Sequence, residues 1–343
     1  MKQEIVDLRS DTVTVPTPDM LQAMMEAAVG DDVLGEDPTL QALEAATALR
    51  FGMESGLFCP SGTMTNQIAI KLLTRQGEEV ICAANAHIYL YEGGGIAFNS
   101  GCSVRLLPGD RGRLSAADVL ANINPVDDIH FPVTGLVALE NTMNKGGGSI
   151  YTLEQIAAIH QVCAQHQLPL HLDGARVFNA LVETGEDARE YGRYFDTISV
   201  CLSKGLGAPV GSVLLGSKAY IKQARRIRKV MGGGMRQAGY LAAAGLYALE
   251  HNVERLREDH ARARQIGELL QGLAWVKEVA PVDTNIVLFT LVGCTTIQVL
   301  GALAEKGVRA VAFGPDSIRM VTHLQFTDAK LTRLLEVLQQ LKF

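Results

Sequence analysis

The chain has 343 residues, 48% of them hydrophobic, with 34 glycines, enough to bury a large core and to divide into about two domains. Its net charge of -6 argues against a polyanion-binding protein, and six cysteines scattered without a Cys-x-x-Cys pair read as reduced cytoplasmic thiols with no metal site. Met1-Lys2-Gln3-Glu4 carries no apolar signal region, and no uncharged apolar run reaches the roughly 18 residues of a membrane span.

Residues 1–17 form a short, turn-rich arm that Pro16 and Pro18 close before a helix carrying Met20, Met24 and Ala27. Within the arm, Arg9-Ser10-Asp11-Thr12 by itself reads as a capped turn. Phe58-Cys59-Pro60-Ser61-Gly62-Thr63 opens a helix with Ile68 and Leu72 at helical spacing. The free N–H groups of such a start are either simply capped or seat a phosphate, with Gly62 allowing close approach and Thr63 adding a hydroxyl. Residues 80–83 predict a strand, after which His87 arrives in a polar loop before Tyr89, Tyr91 and Glu92. A second histidine, His130, precedes a strand at 136–139 that ends on Glu140-Asn141-Thr142. A helix from Thr152, with Gln155 as its capping-box partner, supplies the crossover to the next strand.

Residues 168–172 then lead into Asp173-Gly174-Ala175-Arg176, and residues 197–202 into Ser203-Lys204-Gly205. Ligands of open α/β sheets sit outside the carboxyl ends of the strands, so an acid and an amine delivered by separate strands face one crevice. An amine that forms a Schiff base with an aldehyde and a carboxylate that keeps a proton on a pyridine nitrogen are what a pyridoxal phosphate enzyme needs. The plainer alternative is a buried Asp-Lys ion pair. Residues 211–215 predict a further strand, and 218–229 a helix whose Arg225, Arg226, Arg228 and Lys229 read as a solvated face, not a nucleic-acid surface. Gly232-Gly233-Gly234 precede Arg236, and a long alanine-rich helical stretch over 237–272 links to the remainder. There, strands are expected at 285–291, 308–312 and 318–321, and helices at 295–306 and 328–341. The pattern is α/β: a large, doubly wound, mostly parallel sheet domain over 18–245 and a smaller C-terminal α/β domain over 246–343.

Seven strings in series add a family reading: Leu8-Arg9-Ser10-Asp11-Thr12-Val13-Thr14, Gly30-Asp31-Asp32-Val33, Pro60-Ser61-Gly62-Thr63, His171-Leu172-Asp173-Gly174-Ala175-Arg176, Cys201-Leu202-Ser203-Lys204-Gly205-Leu206-Gly207, Gly232-Gly233-Gly234-Met235-Arg236-Gln237 and Arg319-Met320-Val321-Thr322-His323. Through them, nearly the whole chain resembles the low-specificity L-threonine aldolases, which are fold-type-I, pyridoxal 5'-phosphate-dependent transferase-like enzymes. The resemblance implies retro-aldol cleavage of L-threonine, L-allo-threonine and related β-hydroxy-α-amino acids to glycine and an aldehyde. It assigns the cofactor to Lys204 and Asp173, with its phosphate at Gly62 and Thr63. His87 is placed over the pyridine ring and near the substrate hydroxyl, which His130 approaches through water. Ser10, Arg176 and Arg319 are assigned to the substrate carboxylate, and Arg176 to the cofactor as well. Arg236 is expected to reach the phosphate of a neighbouring subunit, which implies a homo-oligomer, a dimer of shared sites assembled into a tetramer. A β-eliminating lyase or aminotransferase would use the same lysine and aspartate, and a non-catalytic cofactor-binding module is the alternative from another class. Two departures stand out. Met143 occupies a place where the family usually has histidine, and Leu34 follows Val33 where a tyrosine is common, which implies a wider, less polar pocket that favours substrates such as phenylserine.

Overall fold

The computed structural model describes residues 5–343. Its strands are β1 (Val6–Asp7), β2 (Ser55–Cys59), β3 (Glu79–Ala83), β4 (Ser103–Leu107), β5 (Thr134–Glu140), β6 (Leu170–Gly174), β7 (Thr197–Cys201), β8 (Ser212–Gly216), β9 (Val276–Val279), β10 (Ile286–Leu291), β11 (Val308–Arg309), β12 (Val311–Ala312) and β13 (Ser317–Val321). Seven of them form one sheet in the order β2-β8-β7-β6-β5-β3-β4. Its pairings are parallel except those of β8, which runs antiparallel to both β2 and β7. Strands β3, β6, β7 and β8 are buried at every residue, the polar His171, Thr197 and Ser199 included, as expected of a sheet covered on both faces. The helix Gly62–Leu73 packs across β6, β7 and β8, so its first turn stands above the strand ends that carry the acid and the amine.

A second sheet, β12-β13-β10-β9, is antiparallel and has its own core around Val287, Phe289, Ile318, Met320 and Leu334. The strand β9 went unread in the sequence because Lys277 and Glu278 interrupt its apolar pattern.

Three sequence expectations change. The stretch 237–272 is two helices, Gly239–His251 and Leu256–Gln271. Leu256 belongs to the large core, whereas Ala263 and Ile266 belong to the small one, so the two cores meet along this second helix, C-terminal to 246. The basic helix Lys218–Val230 is also not solvated all round. Arg228 is buried and donates to Asp32 Oδ2 and the Phe58 carbonyl, and Arg225 pairs with Glu44. The N-terminal arm is more than an appendage: β1 pairs in parallel with β11, and Val6 and Leu8 are fully buried in the small core.

Candidate active site

Asp173 is the penultimate residue of β6 and is 2% exposed. Its Oδ2 accepts from Asn66 Nδ2 at 3.0 Å and its Oδ1 from the Ala175 N–H at 3.1 Å. The Asn66 amide has a defined orientation because His171 Nε2 lies 3.1 Å from its Oδ1, while Thr197 Oγ1 sits 2.8 Å from His171 Nδ1. Burial pushes His171 down to about 4, so the ring is neutral and takes one proton donor and gives one. The threonine hydroxyl therefore donates to Nδ1, and Nε2–H donates to the asparagine oxygen. Both hydrogens of the Asn66 amide are then free for carboxylates, Asp173 on one side and Glu92 Oε1, at 2.8 Å, on the other.

His87 begins a one-turn helix, His87–Leu90, and does not lie in an open loop. Its backbone N–H donates to Glu140 Oε2 at 2.7 Å, and its Nδ1 lies 3.0 Å from Glu92 Oε1. Glu140 stands in register with Asp173 on the adjacent strand. Burial, and then the Asp173 charge, push the Glu140 carboxyl up to about 7. Burial by itself would lower the His87 imidazolium, but the hydrogen bond to Glu92 and the charges of Asp173 and Glu92 outweigh it and raise it above its ordinary value. Ligand atoms of His87, Glu92 and Asp173 all lie within 4.8 Å of one another. Such a group could hold a cation, but the donor amides of Asn66 and Gln67 already point at these carboxylates, and the arrangement suits a bound ring with a protonated nitrogen better.

Whether the crevice also fits a phosphate is decided one turn earlier on the helix Gly62–Leu73. Ser61 caps it by accepting from the Met64 N–H at 3.1 Å, which leaves the N–H groups of Gly62 and Thr63 outside the helix ladder. A Cβ on Gly62 would stand 3.5 Å from Ser212 Oγ. That hydroxyl is fully buried and has no partner among the described residues. An orphaned buried hydroxyl beside free N–H groups at a helix start is a cradle for an anion, so the residues fit pyridoxal phosphate at both its ends.

Over this floor opens a cleft of about 370 Å³ lined by Ser10, His87, Arg176, Lys204, Phe313 and Arg319, with Tyr91 and Asn144 at its edge. Larger clefts exist, one of about 830 Å³ around Phe178, Leu246 and Arg257, but it is this one that brings Lys204 and His87 together, with buried Asp173 within 4.8 Å of His87. Ser10 caps the turn Asp11–Val13, accepting from the Thr12 N–H at 3.2 Å. Arg319 donates to Asn144 Oδ1 at 2.8 Å and to the Arg9 carbonyl at 3.0 Å, and its buried Nε has no partner among the described residues. Burial, followed by the charge of Arg176, lowers the Arg319 guanidinium to about 10. It stays charged at neutral pH and lacks a carboxylate of its own.

Within a single chain, the geometry places four of the expected residues as follows. Arg176 reaches the cleft but is not an open fork: its Nε and Nη2 donate to the two oxygens of buried Asp11, each at 2.7 Å. His130 is not brought to the cleft of its own chain. Its side chain is 85% exposed on a turn, bonded to Asp128 at 2.8 Å, because Asp128 folds the segment back on itself outside the sheet. Arg236 is exposed and pairs with Asp31 at 2.8 Å, away from the cleft, and Leu34 is 69% exposed on that same turn and does not line it. Met143, by contrast, is fully buried in the large core, so the missing histidine leaves hydrophobic packing in its place. Sequence reasoning missed Asp11, Asn66 and Glu92 as site residues. Asp11 lay within a quoted string and Glu92 beside His87, but only the fold shows that both carboxylates point inward.

Comparison with known proteins bears on the family and the fold. The family model described as beta-eliminating lyase matches residues 7–293. The chain is 44% identical over 333 residues to the low specificity L-threonine aldolase of Escherichia coli K12, covering 96% of this chain and 97% of that one. It is 39% identical over 347 residues to the low-specificity L-threonine aldolase 1 of Arabidopsis thaliana, covering 99% and 97%. Among solved structures, the threonine aldolase of Leishmania major superposes with a TM-score of 0.83 at 23% identity, over 98% of this chain and 99% of that one. Serine palmitoyltransferase of Sphingomonas wittichii superposes with a TM-score of 0.77 at 16% identity, over 98% and 86%, and shares the fold.

Proposed function

The chain belongs to the beta-eliminating lyase family, among the low-specificity L-threonine aldolases, and from that premise we propose how its cleft cleaves L-threonine to glycine and acetaldehyde with pyridoxal 5'-phosphate. The observation that carries the residue assignments is that Lys204, His87 and Arg319 line one cleft while buried Asp173 lies within 4.8 Å of His87. Bound there, the cofactor supplies an electron sink for the pair released when the Cα–Cβ bond breaks.

Lys204 holds the cofactor aldehyde. The Asp173 carboxylate, oriented by Asn66 and the Ala175 N–H, accepts from the pyridine nitrogen and keeps its proton in place. The N–H groups of Gly62 and Thr63 and the Ser212 hydroxyl receive the phosphate. Arg319, short of an anion, takes the substrate carboxylate, with Ser10 as a further donor and Arg176 beside it. His87 takes the β-hydroxyl proton, and a positioned base of this kind is worth about 10² to 10⁴ in rate. L-allo-threonine and bulkier β-hydroxy amino acids, phenylserine among them, are included in the proposal because the cleft is walled at its mouth by the apolar Val311, Ala312 and Phe313. The decisive experiment incubates the pure holoenzyme with L-threonine and follows acetaldehyde and glycine. Ammonia and a keto acid in their place would make it an eliminating enzyme.

The proposal extends to assembly. Arg236, Val33 and Leu34 share one exposed edge, and Arg236 is available there for a second copy's phosphate, as His130 is on its own turn for a second copy's cleft. We place the enzyme in the cytoplasm, a reading its six free cysteines favour. If Arg236 serves a neighbour, Arg236→Ala raises the cofactor dissociation constant by about 10- to 100-fold, the range of one lost charge-assisted hydrogen bond. Sedimentation shows a dimer or a tetramer. An active monomer contradicts the shared site.

A further inference from the structure

Glu92 is used by none of the assignments above, yet both its oxygens are held by hydrogen bonds beside the cleft. Its side chain is fully buried. Oε1 accepts from Asn66 Nδ2 at 2.8 Å and faces His87 Nδ1 at 3.0 Å, and Oε2 accepts from Gln67 Nε2 at 2.6 Å. With donors on both oxygens the carboxylate cannot swing. The chain is shaped to bring it there: Tyr91-Glu92 is followed by Gly93-Gly94-Gly95, and a Cβ on Gly95 would stand 2.6 Å from Gln67 Cδ. Any other residue at 95 would displace the amide that fixes Glu92.

We propose that Glu92 is a positioning residue that holds the His87 ring in one orientation and one tautomer, with the proton on Nδ1 and the lone pair on Nε2. This inference rests on the reading of His87 as the group that takes the β-hydroxyl proton. Both Glu92 oxygens already accept from side-chain amides, so the ring nitrogen facing Glu92 is the one that carries hydrogen, and the other nitrogen is the base. The backbone bond from His87 to Glu140 fixes where the ring starts, and Glu92 fixes where it points. When the ring takes a proton, the same carboxylate stabilises the cation. Asn66 joins this pair to the cofactor acid through its second amide hydrogen.

The test compares two reactions of the holoenzyme. Cleavage of L-threonine requires removal of the hydroxyl proton. Exchange of the glycine α-proton with deuterated water uses the same cofactor and Lys204 but involves no hydroxyl. Glu92→Gln lowers kcat for cleavage by about 10- to 100-fold and moves the acidic limb of its pH profile to lower pH, since the anion that favoured the imidazolium is gone. KM for L-threonine, glycine exchange and the visible absorbance of the bound cofactor stay within about twofold of the wild type. Glu92→Asp, which keeps the charge but withdraws it by one methylene, shows a smaller loss with the same split between the two reactions. In a His87→Phe background the effect of Glu92→Gln disappears, because nothing is left for Glu92 to hold. Unchanged cleavage in Glu92→Gln, equal losses in cleavage and exchange, or additive losses in the double variant each overturn the inference. Wild-type cleavage by His87→Phe instead removes the underlying reading of the base. Slow His87→Phe with fully active Glu92→Gln sinks the inference alone.

Discussion

Replacing Lys204 by alanine is expected to remove the visible absorbance of the lysine-bound cofactor and to reduce threonine cleavage by roughly 10³-fold or more, since both a covalent anchor and a proton-carrying amine are lost. The residue follows β7 by three positions and lines the cleft with His87, Arg176 and Arg319. Among the described residues, no other lysine lines that cleft. The loss should be in chemistry and not in folding. The Thr14 hydroxyl bonds the Lys204 carbonyl at 3.0 Å, a backbone contact that alanine keeps, so the melting temperature of the cofactor-free variant should match that of the cofactor-free wild type. A coloured variant with wild-type turnover would show that the cofactor is held elsewhere.

The second large effect is expected at Asp11. Burial by itself would raise its carboxyl, but the charge and two hydrogen bonds of Arg176, and then the Lys204 charge, hold it well below the usual carboxylate range. Asp11→Asn leaves Arg176, itself 6% exposed, beside Arg319 with no counter-ion. Breaking one half of a buried pair costs about 3–5 kcal/mol, which in a domain of this size lowers Tm on the order of 10 °C. Because the folded-state value is depressed, the stabilisation is present above the unfolded value and is lost as pH falls through the folded one. The gap between variant and wild type should therefore be full at neutral pH and narrow below about pH 4. Asn285 also donates to Asp11, at 3.3 Å, and an asparagine amide facing it adds a donor–donor conflict. If Asp11→Asn is as stable as the wild type and binds L-threonine more tightly, Arg176 is an open substrate clamp and the pairing is incidental.

The sequence by itself determined the elements that local chemistry dictates. The capping boxes of Thr152 with Gln155 and Thr295 with Gln298 form, as side-chain oxygens three residues apart satisfy free N–H groups wherever the helix lies. The strands β6 and β7, which lead to Asp173 and Lys204, were legible because apolar residues alternate with polar ones up to the crevice, Leu170 and Leu172 around His171, Ile198 and Val200 around Ser199. Tertiary structure decided what distance along the chain conceals. Asp11 and Arg176 are 165 residues apart, Asn66 and Asp173 107, and neither side chain carries a local sign of its partner. The basic helix misled because charge spacing does not say which arginine turns inward, and Arg228 is held there by Asp32, 196 residues away. The role expected of His130 came from the resemblance alone, and the turn made by Asp128 sends it to the surface of its own chain. A carboxylate buried among donors and a carboxylate in water are the same letter in the sequence, and only the packing of the helix Gly62–Leu73 over β6 separates Glu92 from the exposed acids.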